Sequence, residues 1–266
     1  MDYTLENLFG MTGRTVIVVG GTSGIGLEIA RALLDLGAQV AVVGRTSQKC
    51  LDAQRMLSQK DPSVRAYQAD VVDETALADC FAAVNSAYGK IDGLVYSAGI
   101  NHIEGLDTIA QEDFDRVMDV NFKGMVLSCK LAGKYMMENG FGTIVNISSL
   151  SAVRGKAQYT AYAASKSAIH GFTRALGVEW IRKGIRVNCV SPGLVVTDIN
   201  RREIEAHPEN FKRRLETIPR GCAGETASLV GPVIALLSKA TEHMVGQAVF
   251  VDGGISIGDT FLMTKD

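Results

Sequence analysis

The sequence predicts an α/β fold in which about seven parallel strands form one Rossmann-like, doubly wound sheet with helices on both faces. Short runs of β-branched and apolar residues alternate with longer amphipathic stretches along the chain. Several of the short runs are apolar at every position, which is typical of strands buried on both faces. A glycine-rich turn joins the first strand to the first long helix. These three observations together predict the fold class.

Each predicted element follows from the local pattern. The strands are predicted at residues 15–19, 39–43, 64–68, 93–96, 143–147, 186–190 and 248–251. The clearest helices are predicted at 26–36, 47–60, 75–88, 114–137 and 161–183. The sequence has no repeat, low-complexity tract or linker-like segment. One domain over residues 1–266 is therefore the simplest organisation.

A highly charged, helix-like stretch at about 198–220 interrupts this alternation between the sixth and seventh strands. An excursion at this place in a parallel sheet is positioned to cover a site, so we predict a substrate lid. Its arginines and lysines would favour an anionic substrate such as a sugar acid. A solvated helical face is the alternative interpretation.

Composition excludes several classes of function. The net charge is −2 and the pI is near 6.1, which gives no electrostatic reason to expect a nucleic acid or an anionic membrane as partner. No signal peptide is visible at the N-terminus, and no apolar run approaches the ~20 residues that span a bilayer. We therefore expect a cytoplasmic protein.

The cysteines and histidines give no sign of a disulfide framework or a metal site. The five cysteines are Cys50, Cys80, Cys129, Cys189 and Cys222. They are scattered and form no C-x-x-C pair, so we expect each to be reduced and to act as a small buried hydrophobic residue. The four histidines have no metal-ligand spacing, and no metal is predicted.

The glycine-rich turn, residues 20–26, predicts a phosphate-binding site. A strand, a glycine turn and a helix N-terminus direct backbone N–H groups at a phosphate. Glycine is required where the backbone turns tightly or approaches a pyrophosphate closely. A plain tight connection is the alternative. The residues expected to contact a dinucleotide here are Gly20, Thr22, Ser23, Gly24, Ile25 and Gly26.

The end of the second strand distinguishes NADP from NAD. An acidic residue at this place binds the ribose hydroxyls of NAD, whereas an arginine accommodates the 2′-phosphate of NADP. The acid is absent, and Arg45 and Thr46 follow the strand instead. Because a guanidinium fork suits phosphate, NADP(H) is favoured. A solvated Arg45 with NAD(H) as cofactor is the alternative.

Proton chemistry is indicated by Tyr162 and Lys166, which are four residues apart and share a helix face, and by Ser149 before them. A phenol has a pKa of about 10, and a neighbouring ammonium favours its deprotonated form. Such a tyrosine exchanges a proton with an alcohol or a developing alkoxide. A serine hydroxyl nearby would hold the reacting oxygen.

These motifs, in this order and at these spacings, resemble the short-chain dehydrogenase/reductase family of compact single-domain type over about residues 12–255. The resemblance implies a catalytic set of Asn121, Ser149, Tyr162 and Lys166. It adds cofactor contacts at Asp70, Val71, Ser97, Ala98, Gly99, Tyr162, Lys166, Pro192, Gly193, Val195 and Thr197. Residues 246–247 and 251–254 resemble the family's closing strand motif.

The resemblance also assigns roles. Tyr162 would be the general acid or base, and Lys166 would lower the pKa of Tyr162 and bind the nicotinamide ribose. Ser149 would orient the substrate, and Asn121 would hold a water that connects Lys166 to solvent. The substrate would be a secondary alcohol or ketone, and a homotetramer is the expected assembly.

The sequence departs from the family pattern in three places. Val19 replaces a threonine, and Tyr96 and Ser97 replace two asparagines. Because the lost side chains have mainly structural hydrogen bonds in the family, we expect weaker support of the glycine turn. Ser23 is not basic, unlike its counterpart in many NADP-preferring members.

The substrate class is the least determined property. Loop residues that would line its site are Asn101, His102, Ser151, Arg154, Gln158 and Leu194, and the lid would add basic residues that include Arg214. Their polarity favours a polyol, a sugar or a sugar acid. An NAD(H)-dependent polyol or sugar-acid dehydrogenase is the enzymatic alternative. A catalytically idle nucleotide-binding redox sensor is the alternative that is not an enzyme.

Overall fold

The protein is built around one parallel sheet. The structure is a computed structural model that describes residues 3–258, apart from the side chains at 198, 199, 202 and 203. Residues 1–2 and 259–266 of the predicted domain lie outside the described residues. The strands are β1 (Thr15–Val19), β2 (Gln39–Gly44), β3 (Arg65–Gln68), β4 (Gly93–Tyr96), β5 (Gly142–Ile147), β6 (Ile185–Pro192) and β7 (Ala248–Val251). Their order is β3-β2-β1-β4-β5-β6-β7. The predicted Rossmann-like fold is confirmed.

The predicted strands agree with the observed ones to within two residues at every end. β1, β4 and β7 agree at both ends, and β6 shows the largest difference, since it continues to Pro192. There Ser191 and Pro192 pair with Phe250 and Val251 of β7. That pairing depends on a partner strand about 60 residues away, which the local apolar pattern does not reveal.

The helices cover both faces of the sheet, because the side chains of each strand alternate between them. The helices are α1 (Leu5–Phe9), α2 (Gly24–Asp35), α3 (Ser47–Leu57), α4 (Glu74–Tyr88), α5 (Gln111–Met118), α6 (Gly124–Asn139), α7 (Thr160–Trp180), α8 (Asp198–Ala206), α9 (Pro208–Glu216) and α10 (Val230–Leu237). Val16 and Val18 pack with α2, α3 and α10, whereas Ile17 and Val19 pack with α4, α6 and α7. Two apolar cores result, one on each face.

The helix predicted at 114–137 is interrupted. A π-helical turn, Asp119–Lys123, separates α5 from α6. Such turns are rare and are frequently found at functional sites. The apolar periodicity continues across this turn, so the sequence pattern predicts one helix where the structure has an insertion.

The charged stretch predicted as a lid forms α8 and α9, which lie between β6 and β7. Cys222, in the turn after α9, is exposed, so the prediction that every cysteine is buried is wrong for this residue. The other four are buried. No helix in the described part of the chain is long and apolar enough to cross a bilayer.

The strand order reverses next to β1. The connection after β1 leads through α2 on one face, whereas the connection after β4 leads through α5 and α6 on the other. The two loops therefore diverge at the carboxyl ends of the strands and leave a crevice between them. In open α/β sheets, ligands bind in this crevice.

Candidate active site

A cavity of about 750 Å³ fills the crevice. It begins at the glycine turn and extends past the carboxyl ends of the central strands to α7 and the lid. The predicted residues that line it are Gly20, Thr22, Ser23, Gly24, Ile25, Arg45, Thr46, Asp70, Val71, Ser97, Ala98, Gly99, Ser149, Tyr162, Lys166, Pro192, Gly193, Val195 and Thr197. The cofactor and catalytic predictions thus meet in one cavity.

Two glycines set the shape of the turn that opens this cavity. Gly20 has a φ of +81°, and a side chain there would approach the Ala98 backbone nitrogen to 2.5 Å. A side chain at Gly26 would approach the Gly20 carbonyl oxygen to 2.3 Å. Gly26 is absent from the cavity lining, unlike the other glycines predicted in this turn, and its lack of a side chain lets α2 pack closely against the turn. Both positions require glycine for steric reasons.

The start of α2 fits a phosphate group. Ser23 is the N-cap residue, and in the described structure its side chain makes no capping hydrogen bond to the helix. The first amide groups of α2 are thereby left for a ligand. Together with the dipole of the helix, these amides favour an anion.

The far end of the cavity carries two cations. Arg45 follows β2 as predicted, and Lys49 lies in the first turn of α3 and also lines the cavity. Sequence reasoning missed Lys49. Lys49 lies four residues after Arg45, at the start of a predicted helix, and this spacing could have indicated that both cations face the same site.

Ser149, Tyr162 and Lys166 are brought together at the end of β5 and on α7. The side chains of Ser149 and Tyr162 are hydrogen-bonded, and Ser149 Oγ accepts a hydrogen bond from the Ser151 amide at 3.1 Å. Lys166 Nζ lies 5.6 Å from the centre of the Tyr162 ring and donates to the Ile147 carbonyl oxygen at 2.9 Å. Ser149 also caps a short 3₁₀ turn, so its structural and proposed chemical roles coexist.

The pKa of Tyr162 corrects one expectation. Burial raises the pKa of the phenol, and the hydrogen bond from Ser149 acts in the opposite direction. The lowering that we expected from Lys166 does not prevail. The reason is that burial disfavours the charge of Lys166 as well, and lowers the pKa of that ammonium to about 8.

Asn121 lies within the π-helical turn, fully buried behind the cavity wall. Its amide group donates to the Ile100 carbonyl oxygen at 2.9 Å and to Ser165 Oγ at 3.0 Å. Its Oδ1 accepts from the Ile100 amide at 2.8 Å. Because both N–H donors are used, any water held by Asn121 must bind to an oxygen atom.

Comparison with known proteins identifies the family of this chain. A family model described as enoyl-(acyl carrier protein) reductase matches residues 19–256. The chain belongs to the short-chain dehydrogenase/reductase family. It is therefore an oxidoreductase that uses a nicotinamide cofactor on alcohol and keto groups.

Individual relatives of this short-chain dehydrogenase/reductase cover almost the whole chain. It is 36% identical over 262 residues to galactitol 2-dehydrogenase (L-tagatose-forming) of Cereibacter sphaeroides, covering 97% of this chain and 100% of that protein. It is 33% identical over 250 residues to 2-dehydro-3-deoxy-D-gluconate 5-dehydrogenase of Bacillus subtilis, with 94% and 97% covered. A gluconate 5-dehydrogenase from Burkholderia cenocepacia, solved with NADP and tartrate, superimposes with a TM-score of 0.90 at 29% identity, covering 96% and 100%.

The residues predicted to bind the substrate of this short-chain dehydrogenase/reductase are divided by the fold. Ser151, Arg154 and Leu194 line the cavity, whereas His102 and Gln158 lie outside its lining. His102 Nε2 is instead 2.8 Å from Glu104 Oε2. Gln158 adopts a φ of +65°, and its carbonyl oxygen accepts from the Glu104 amide. Sequence proximity to Tyr162 was a poor guide to side-chain direction here.

Further residues line the substrate end of the cavity. Asn101 and the lid residue Arg214 are among the candidates named from the sequence, whereas Lys156, Tyr159, Asn200 and Thr217 were not singled out. Asn200, Arg214 and Thr217 come from the region of α8 and α9, so the predicted lid does contribute to the cavity. Arg154, Lys156 and Arg214 bring three positive charges to this end of the cavity, and among the side chains that the structure describes the one carboxylate in the lining is Asp70, after β3.

His170, which the sequence did not indicate, contacts the end of β6 just before the loop that carries Gly193. His170 Nε2 is 2.8 Å from Ser191 Oγ, and its ring packs at right angles to Phe250 of β7. Gly193 lies against Asp252, where a side chain would come within 2.7 Å of the Asp252 Cα. The closing strand motif therefore supports the loop that carries Pro192 and Gly193.

Proposed function

We propose that this protein is an NADP(H)-dependent dehydrogenase that oxidises a secondary alcohol of a sugar acid, or reduces the corresponding ketone. The main support for this proposal is the arrangement of one cavity. Ser149, Tyr162 and Lys166 lie at one end of it, and the glycine turn and Arg45 form the other end. A proton site and a dinucleotide-shaped site in one cavity support hydride transfer.

The proton steps are assigned to this chain's own residues. In oxidation, the substrate hydroxyl binds between Ser149 Oγ and the Tyr162 hydroxyl, and Tyr162 accepts its proton. A nicotinamide cofactor held by the glycine turn and Arg45 would supply the acceptor for the hydride of the substrate carbon. The proton then leaves toward solvent through Lys166 and a water on Asn121. In reduction every step runs in the opposite sense.

Access to this relay is supported by the position of Gly99. A side chain at Gly99 would lie 3.3 Å from Asn121 Oδ1 and 3.6 Å from Lys166 Nζ. Both groups therefore face the same small space, which glycine leaves open. A water in this space would have polar partners on both sides.

The preference for NADP(H) is supported by Arg45 and Lys49 together. A 2′-phosphate beside two cations gains charge-assisted hydrogen bonds that a plain ribose hydroxyl does not offer. One such bond contributes about 1.5–3 kcal/mol. No acidic side chain at the end of β2 competes for the ribose, since Arg45 and Thr46 occupy that place.

Replacing Arg45 with alanine is expected to raise KM for NADP⁺ about ten-fold, because a charged hydrogen bond to the phosphate is lost. Replacing both Arg45 and Lys49 is expected to raise it about 100-fold. KM for NAD⁺ should change less than two-fold. Steady-state kinetics with both cofactors measures this. Arg55→Ala is the matched control. Arg55 is an exposed cation on α3, the helix of Lys49; it pairs with Asp52 and lies outside the cavity lining. Equal effects on both cofactors would remove the proposed phosphate role.

The preference for an anionic substrate is supported by the charges at the substrate end. Arg154 and Lys156 lie on the loop before α7, and Arg214 reaches the cavity from α9. Such a cationic end raises the local concentration of an anion. Relatives named for gluconates and for galactitol make both acids and neutral polyols reasonable substrates, and the charge favours the acids.

A matched pair of substrates tests the proposal. D-gluconate and D-glucitol share a six-carbon polyhydroxy chain and differ in one terminal carboxylate, so we expect kcat/KM with NADP⁺ to be at least about ten-fold higher for the acid. Arg154→Gln should reduce this ratio, whereas Lys183→Gln, at an exposed position just before β6, should leave it unchanged. A galactonate and galactitol pair serves as a second comparison. Higher activity on the polyols would refute the substrate class, and no turnover of hydroxy acids or polyols with either cofactor would refute the proposed function.

A further inference from the structure

Tyr96, the last residue of β4, has a contact that the family resemblance did not predict. Its side chain is fully buried in the core between the sheet and α6. Its hydroxyl donates a hydrogen bond to the Val120 carbonyl oxygen at 2.5 Å. Burial raises the pKa of this phenol, which keeps it protonated as a donor. This hydrogen bond goes to residues 119–123 and not to the glycine turn, so the weaker support expected for that turn stays a prediction.

The acceptor of this hydrogen bond belongs to the π-helical turn. Val120 lies within Asp119–Lys123, and the next residue is Asn121. A π-helical turn persists only where its surroundings stabilise it, since the α-helix is the more favourable local geometry. The position of the Val120 backbone therefore governs the position of the Asn121 side chain.

The packing around the Tyr96 hydroxyl leaves little freedom. A side chain at Gly124, the first residue of α6, would come within 2.8 Å of that hydroxyl oxygen. The residue after Tyr96 begins the segment Ser97–Gly99, which lines the cavity. The Tyr96 side chain thus connects the end of β4 to the turn that carries Asn121. These two segments lie on either side of the space at Gly99.

We propose that Tyr96 is a positioning residue that fixes the π-helical turn through the Val120 carbonyl group and so holds Asn121 beside Lys166. The inference rests on the proposed function, because it gives Asn121 a part in the proton route. Tyr96 acts through the backbone and contacts neither substrate nor cofactor.

Tyr96→Phe removes the hydroxyl and retains the ring that packs in the core. We expect kcat for alcohol oxidation to fall about ten-fold, because a small displacement of a catalytic group has effects of this order or larger. KM for NADP⁺ and for the substrate should stay within about two-fold. The solvent deuterium isotope effect on kcat should increase, since proton transfer would then limit turnover. The expected change is therefore in kcat, with KM preserved.

Tyr88→Phe is the matched control. Tyr88, at the end of α4, is partly buried, and its hydroxyl donates to the Ser63 and Val40 carbonyl oxygens at 2.7 and 3.2 Å. Removing it should lower the melting temperature by a similar amount to Tyr96→Phe, with kcat and the isotope effect unchanged. A merely structural role for Tyr96 would make the two variants behave alike in kcat, and that result would overturn the inference.

Backbone hydrogen exchange provides a readout that does not need turnover. Tyr96→Phe should accelerate amide exchange in residues 119–124 relative to the rest of the chain, whereas Tyr88→Phe should not. Unchanged exchange in this turn would overturn the inference while the proposed function stands. If exchange accelerates but the wild-type protein oxidises none of the hydroxy acids or polyols, the proposed function fails and the positioning of the turn is supported.

Discussion

Replacing Tyr162 with phenylalanine is expected to lower kcat about 10³-fold, because a positioned general acid or base contributes about 10²–10⁴-fold to a rate. The substitution removes one oxygen atom and leaves the ring in place. The hydrogen bond from Ser149 loses its partner, but no charge is buried or exposed. Binding of NADPH, measured by fluorescence titration, should stay within about two-fold of the wild-type value.

The pH dependence of the wild-type enzyme gives a second measurement of the same group. Since burial raises the pKa of Tyr162, the phenolate that accepts a proton in oxidation forms only toward alkaline pH. Oxidation should therefore accelerate as the pH rises, and reduction as it falls. Tyr88→Phe should keep both the rate and the profile. Substantial turnover by Tyr162→Phe would remove this tyrosine from the proton step.

Replacing Lys166 with methionine is expected to abolish turnover and to stabilise the protein near pH 7. Burial lowers the pKa of this ammonium from its usual 10.5 to about 8. At pH 7 the folded state therefore retains a charge in an unfavourable environment, which costs on the order of 3 kcal/mol for a difference of this size. Loss of the hydrogen bond to the Ile147 carbonyl oxygen offsets about 1 kcal/mol of the gain.

The same residue gives a pH dependence of stability with a defined sign. Between about pH 8 and 10.5 the folded protein has released the Lys166 proton while the unfolded chain keeps it. Stability rises with pH wherever the unfolded state binds more protons, so Lys166 contributes an increase over this window. In Lys166→Met that increase is absent.

Urea unfolding of both proteins at pH 7.0 and 9.5 measures this contribution. Burial raises the pKa of the Cys80 thiol to about 11, so this group opposes the trend, but it is common to both proteins. The difference between them reports Lys166 together with its electrostatic coupling to the Cys189 thiol. Lys183→Met, which removes an exposed lysine, should leave the pH dependence unchanged. An equal slope in the wild type and in Lys166→Met would contradict the buried-charge argument.

The strands were predictable because their signal is local. A strand such as β1, buried on both faces, must be apolar at every position, and this property is written in consecutive residues. The turn at Gly20 is local for the same reason, since its φ of +81° excludes most other residues. The helix break at Asp119–Lys123 was not predictable, because the hydrogen bonds that hold it come from Tyr96 and from the backbone of Ile100.

At the substrate end of the cavity, too, some residues were predictable from the sequence and others were not. Arg154 was predicted from its place between Ser149 and Tyr162, and it lines the cavity. Gln158 comes from the same segment, but its left-handed backbone and its contact with Glu104 place it outside the lining. Lys156 and Arg214 enter the cavity from two segments more than 50 residues apart. Their meeting is a property of the fold and has no local signature.

The sequence by itself determined the parallel α/β fold, the glycine turn and the set of residues at positions 149, 162 and 166, because each is a short-range pattern imposed by backbone geometry or by helical spacing. Only the tertiary structure decided that Lys49 joins Arg45, that cations gather at the substrate end, and that burial sets the pKa of Tyr162 and Lys166. It also decided that Tyr96 supports the turn carrying Asn121. These features depend on contacts between segments distant in the chain, and burial and proximity are created by folding.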